Sequence, residues 1–217
     1  MNPHDLPVYS QKQRILDALE ENQVIVVESP TGSGKTTQLP IILHEAGYAE
    51  RGVIGVTQPR RIAAVSVCRY IAKQLDSNVG AYVGYKMRFE DITGADTRLK
   101  ILTDGTLLQE MKGDRWLTQY SVLMIDEAHE RTLNIDFILG LVKEILPHRP
   151  ELKVIISSAT LNPEVFRDYF TDCPIVSIDT PVYPVDVYFD PPPVEGDEDV
   201  LIGKISSVVE KIVGGVR

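Results

Sequence analysis

Lys35 and Thr36 close a glycine-rich turn, Ser29-Pro30-Thr31-Gly32-Ser33-Gly34, which itself follows an aliphatic run from Val24 to Val27. A strand entering such a turn can wrap backbone N–H groups around phosphate oxygens. Lys35 would neutralise the outer phosphates and the Thr36 hydroxyl would ligate Mg²⁺. Ser29 stands where the usual phosphate-loop pattern has glycine, but Gly32 and Gly34 remain where the backbone must curl most tightly. A lysine at a helix N-terminus opposes the helix dipole unless an anion sits there, which argues against a purely structural turn. Further along, the run Val122 to Ile125 ends in Asp126-Glu127-Ala128-His129. Asp126 suits the metal and Glu127 the activation of a hydrolytic water, so Thr36, Asp126 and Glu127 are the expected metal residues. A solvated acidic turn would explain the two acids alone, but not their pairing with a phosphate loop. His129 has no histidine partner at metal-ligand spacing, since His4, His44 and His148 are scattered. The other role open to it is that of a switch that bonds elsewhere when nucleotide is bound.

These turns need strands to hold them. The pattern predicts strands at Val24–Val27, Val53–Thr57, Ala81–Gly84, Leu99–Thr103, Val122–Ile125, Val154–Ser157 and Ile175–Ile178. Helices are expected near Ser10–Glu20, Lys35–Ala46, Arg60–Leu75, Gly105–Lys112, Ile135–Leu146 and Pro163–Tyr169. Near-continuous Val, Ile and Leu suits strands covered on both faces. The alternation predicts an α/β fold with a doubly wound, mostly parallel sheet, whose strand C-termini share one ligand-binding edge. From Thr180 onward prolines interrupt the pattern. An extended run, Val185–Phe189, and a helix-like stretch, Val200–Val213, follow.

At 217 residues and 43% apolar content, the chain can bury one α/β domain and the start of another. The expected division is residues 1–179 as a nucleotide-binding domain and 180–217 as a linker with the beginning of a second, incomplete one. The net charge of −9 excludes a broadly basic surface. Six acids and no cation lie between Asp186 and Asp199, so the remainder carries only −3. Nucleic acid would have to be held by a few placed groups. Cys68 and Cys173 are far apart and outside metal spacing, which fits free thiols in a reducing compartment. The apolar runs are strand-sized, and Met1-Asn2-Pro3-His4-Asp5 lacks a secretory layout. No membrane partner is expected, and the location is expected to be cytoplasmic, or nuclear in a eukaryote.

The chain resembles the DEAH-box helicases, a branch of superfamily 2, through ordered blocks covering about Gln11 to Phe189. Asp126-Glu127-Ala128-His129 carries that family's signature, and Thr31-Gly32-Ser33-Gly34-Lys35-Thr36-Thr37-Gln38 is similar to its motif I. Thr57-Gln58-Pro59-Arg60-Arg61-Ile62-Ala63-Ala64 resembles motif Ia, Thr103-Asp104-Gly105-Thr106-Leu107-Leu108 motif Ib, and Ser158-Ala159-Thr160 motif III. Gly84-Tyr85-Lys86-Met87-Arg88-Phe89-Glu90 also resembles a stretch between Ia and Ib. The resemblance implies the first RecA-like domain of an ATP-dependent RNA helicase that moves 3′ to 5′. Thr31, Gly32, Ser33, Gly34, Lys35, Thr36 and Thr37 would hold ATP or ADP with Mg²⁺, and Lys35, Asp126, Glu127 and His129 would serve hydrolysis.

It further implies that Arg60, Arg61, Thr103, Asp104 and Gly105 face single-stranded RNA, either free or as the tail of a duplex. Cations at a helix start are disfavoured without an anion, so a backbone phosphate would resolve the position of Arg60 and Arg61. Both arginines also read as solvated surface residues, and Asp104-Gly105 also reads as a helix cap. Ser158 and Thr160 would link nucleotide to strand by bonding Asp126 or His129, or would merely cap a helix. Where relatives place an arginine against the nucleotide base, this chain has Tyr70, whose ring can stack instead. No arginine-finger block of a second RecA-like domain is found, so the chain is expected to be an N-terminal fragment, nearly inactive alone. Two alternatives stand: a nucleotide-dependent scaffold or switch without translocation, or a DNA helicase.

Overall fold

The computed structural model describes residues 5–159, 162–180, 189, 191 and 198–215. They fall into two compact units, Met1–Thr180 and Pro181–Arg217. In the first, the strands are β1 (Val24–Glu28), β2 (Val53–Gln58), β3 (Val83–Met87), β4 (Glu90–Ile92), β5 (Leu99–Thr103), β6 (Tyr120–Ile125), β7 (Lys153–Ser158) and β8 (Ile175–Ser177). They form one sheet in the order β4-β3-β5-β2-β6-β7-β1-β8. Every pairing is parallel except β3 with β4.

The helices are α1 (Pro7–Ser10), α2 (Lys12–Glu21), α3 (Lys35–Glu45), α4 (Tyr48–Arg51), α5 (Arg61–Gln74), α6 (Asp104–Gly113), α7 (Leu133–Ile145) and α8 (Glu164–Tyr169). Alternate strand residues point to opposite faces, and both faces here are apolar. Ile25, Val27, Ile54, Val56, Ile101 and Met124 pack with residues of α1 to α5. Val24, Val26, Leu102, Leu123, Ile125 and Ile156 pack with α6, α7 and α8. This is the doubly wound, RecA-like α/β arrangement, and it needs the continuous aliphatic runs that the strands carry. Its parallel strands bring Glu28, Gln58, Thr103, Ile125 and Ser158 to one edge.

Two elements differ from expectation. β3 occupies Val83–Met87, where Ala81–Gly84 was predicted, so the polar-looking Tyr85-Lys86 continues the strand. It is held there by β4, which has no apolar alternation and no buried residue. Cross-strand polar contacts define this hairpin: the Tyr85 hydroxyl donates to Glu90 at 2.7 Å, and Lys86 pairs with Asp91 at 3.0 Å. The lead helix is split into α1 and α2.

In the second unit a helix, α9, spans Glu198–Gly215, slightly longer than Val200–Val213. The extended run predicted at Val185–Phe189 falls outside the described residues except for Phe189, which has no regular structure. Among the described residues, no helix is long and apolar enough to cross a membrane.

Candidate functional site

The turn after β1 places Gly32 at φ +85° and Gly34 at φ +92°, backbone conformations that side chains rarely adopt. Gly34 is also the N-cap of α3, and a Cβ there would meet Leu6 at 2.9 Å. A Cβ on Gly32 would meet nothing within 4 Å, so that position faces open space. This space is a cavity of about 310 Å³ lined by Leu6, Thr31 to Thr37 and Glu127. Lys35 is the first residue of α3 and is only 5% exposed. Its ammonium donates to the Ser29 carbonyl. Burial pulls the Lys35 pKa down, while Asp126, Glu127 and Glu28 act against that pull. A buried cation at a helix N-terminus leaves an unsatisfied demand for negative charge, and the cavity is where an anion can enter.

Asp126 follows β6 and is fully buried. Its Oδ2 accepts from the Thr36 hydroxyl at 2.5 Å and from the Gln58 amide, and its Oδ1 from the Ser157 hydroxyl at 2.6 Å. Thr36 and Asp126 thus meet across ninety residues of sequence, as hard oxygen donors of the kind Mg²⁺ takes. Among the described residues no cluster of three or more His, Cys, Asp or Glu could hold a metal. Thr36 and Asp126 as oxygen donors fit Mg²⁺, which keeps several waters and uses substrate phosphates.

Glu127 adopts φ 51° and ψ 35°, a left-handed conformation costly for a side chain of its size. The turn that imposes it aims Glu127 at the cavity. Burial raises the Glu127 pKa, and neighbouring Asp126 raises it further, against the opposing pull of His129 and Lys35. Such a carboxylate is a better proton acceptor near neutral pH than an exposed one. His129 Nδ1 accepts from the Ala159 N–H at 3.2 Å, which places the proton of a neutral ring on Nε2. It also lies 3.5 Å from Glu127. The histidine therefore joins the Asp126 turn to the loop after β7.

The other predicted residues divide. Arg60 is the N-cap of α5 and pairs with Glu130 at 3.1 Å, while Arg61 is exposed. Arg61, Thr103, Asp104 and Gly105 line one groove of about 860 Å³, together with Lys86 of β3 and Arg88 and Phe89 of the hairpin turn. Tyr70 lies on α5, 42% exposed, and does not line the phosphate cavity. Ser157 of β7 contacts Asp126. Ser158 is buried, its carbonyl accepting from the Ser29 N–H at 3.1 Å, and Thr160 lies outside the described residues. Ser157 and Gln58 went unassigned in the sequence, although Gln58 is the last residue of β2 and Ser157 the last but one of β7, at the same edge.

Thr103, not Asp104, is the N-cap of α6. Asp104 is 3% exposed, and burial pushes its pKa up from 3.8 to about 6. Glu130 and Asp126 add to the rise, and the nearby Thr57 hydroxyl offsets part of it without closing a full hydrogen bond. A raised carboxyl pKa favours the fold below 3.8, and that advantage is lost as pH rises through about 6. Asp104→Asn should therefore stabilise the chain by up to ~2 kcal/mol at pH 8 and have little effect at pH 4. Urea unfolding at the two pH values checks this, and an equal effect at both would contradict it.

Comparison with known proteins follows the same lines. Residues 9–168 match the family model described as DEAD/DEAH box helicase. The chain is 53% identical over 213 residues to the ATP-dependent RNA helicase HrpA of Borreliella burgdorferi, covering 98% of this chain and 26% of that protein. It is 50% identical over 196 residues to the Escherichia coli K12 protein of the same name, covering 90% and 15%. It is also 50% identical over 209 residues to the HrpA homolog of Haemophilus influenzae, covering 96% and 16%. The chain thus spans about a quarter or less of the length of these relatives. With a phosphate loop, a buried Asp126 against Thr36, and this extent of likeness, the chain belongs to the DEAD/DEAH box helicase family.

Proposed function

We propose that this chain is the ATP-binding part of an ATP-dependent RNA helicase, binding Mg-ATP or Mg-ADP at the P-loop and a single RNA strand along the neighbouring groove. The observation that carries the reading is the cavity walled by Thr31 to Thr37 and Glu127, with Thr36 bonded to Asp126 at its floor. Backbone N–H groups at the start of α3 and Lys35 would hold the phosphates. Thr36 and Asp126 would hold Mg²⁺, which supplies charge neutralisation on the phosphates, and Glu127 would orient and deprotonate the attacking water. Tyr70 offers its ring to the base.

Residues 1–179 are read as the first RecA-like domain and 180–217 as a linker with the start of a second. Among the described residues lining the cavity Lys35 is the only cation. A further cation from a second domain would be needed to offset the charge that develops at the transferred phosphoryl group, so turnover by this chain alone is expected to be slow. A reducing, cytoplasmic setting suits Cys68 and Cys173, which are free and buried with pKa values pushed up to about 12 and about 11.

Strand binding is tested by salt. Each phosphate contact removed from a single-stranded complex flattens the slope of log K against log salt by about 0.7. The Arg60→Ala/Arg61→Ala double variant should flatten the slope for oligouridylate by roughly 1.4 and weaken binding about tenfold or more. An unchanged slope would place the strand elsewhere. No binding of RNA at any salt would favour a nucleotide-dependent scaffold.

A further inference from the structure

Gln58 ends β2 and is 3% exposed, with its amide donating to Asp126 Oδ2. The main chain then passes through Pro59 to Arg60, the N-cap of α5, and Arg61. One residue therefore has its side chain on the carboxylate proposed to hold the metal and its backbone two and three residues from the arginines proposed to meet the strand. The same strand end is paired in register with Thr103 of β5. A second contact, Arg60 to Glu130, also crosses from α5 to the Asp126 turn, but the Arg60 side chain is 76% exposed, and such pairs contribute little. The buried amide is the stiffer link.

We propose that Gln58 is a positioning residue that couples the two sites: it ties the end of β2, and with it the start of α5, to the state of the Asp126 carboxylate. Asp126 Oδ2 accepts from Thr36 and Gln58 together. Thr36 and Asp126 would hold Mg²⁺, and Gln58 is the donor on Oδ2 that has no such second duty, so it would report any change at that carboxylate. The change passes along the backbone to Arg60 and Arg61. The strand half of this inference rests on the proposed RNA reading, while the link from Asp126 to α5 does not.

Gln58→Met keeps the length of the side chain and removes the donor. Asp126 Oδ2 still accepts from Thr36, so the fold should survive, and Gln58→Ala serves as a second variant. Two measurements on the 217-residue chain test the idea. In the first, hydrogen exchange is followed at the amides of residues 60–64 with and without Mg-ADP. The native chain should show changed exchange there at saturating Mg-ADP, and both variants should lose that response at the same nucleotide occupancy. A response of equal size in both variants, or none in the native chain, overturns the proposal. In the second, saturating oligouridylate should change the affinity for Mg-ADP by about fivefold or more in the native chain and less than about twofold in Gln58→Met. Coupling that survives in the variant overturns the role of Gln58. If oligouridylate fails to bind the native chain, the strand reading falls, and the exchange measurement still decides whether Gln58 links Asp126 to α5.

Discussion

Lys35→Ala should weaken binding of a fluorescent ADP analogue by about a hundredfold, the ~2.7 kcal/mol of a charge-assisted contact to phosphate. The free protein should change little, within about 1 kcal/mol by urea unfolding, because burial already disfavours the Lys35 charge when no anion is present. That split between binding and stability is the test of function. A lysine kept for the fold would show the reverse: a large loss of stability with little specific loss of nucleotide affinity. The expectation follows from position, since Lys35 is the first residue of α3 and lines the cavity.

Glu127→Gln should leave Mg-ATP affinity within threefold and reduce single-turnover hydrolysis by roughly 10²–10⁴, the contribution of a positioned general base. Gln has the same shape and can occupy the left-handed turn at the same cost, so structure is preserved while the proton acceptor is lost. Protein in excess over labelled ATP makes even slow turnover measurable. Undiminished hydrolysis in the variant would mean that Glu127 does not activate the water and that its strained backbone serves only the turn. Fast, RNA-stimulated turnover by the native 217 residues would equally contradict the need for a second domain.

The sheet was legible in the sequence because its aliphatic runs are nearly uninterrupted; Leu99–Thr103 was placed to the residue. β4 was not, because Glu90-Asp91-Ile92 has neither alternation nor burial and is set by its partner across the hairpin. The phosphate loop and Asp126 were legible because each is a local string. The contacts among them were less so. Gln58, Ser157 and Thr36 converge on one carboxylate from the end of β2, from β7 and from the start of α3, and only the order of the strands brings them together. Composition pointed away from nucleic acid, and it could not show that Arg61, Lys86 and Arg88 gather along one groove in an acidic chain. Asp104 was read as a cap or strand contact, whereas the structure shows a buried acid whose pKa lies near 6, a property of its surroundings more than of its neighbours in sequence.

A crystal structure of this chain grown with ADP and Mg²⁺ tests the central claim most directly. The diphosphate should lie against the backbone N–H groups of Gly32 to Thr36, the metal beside the Thr36 hydroxyl on the side facing Asp126, and Glu127 at the open end of the cavity. A nucleotide seated in the groove lined by Arg61 and Phe89, or a metal bound away from Thr36 and Asp126, would contradict it.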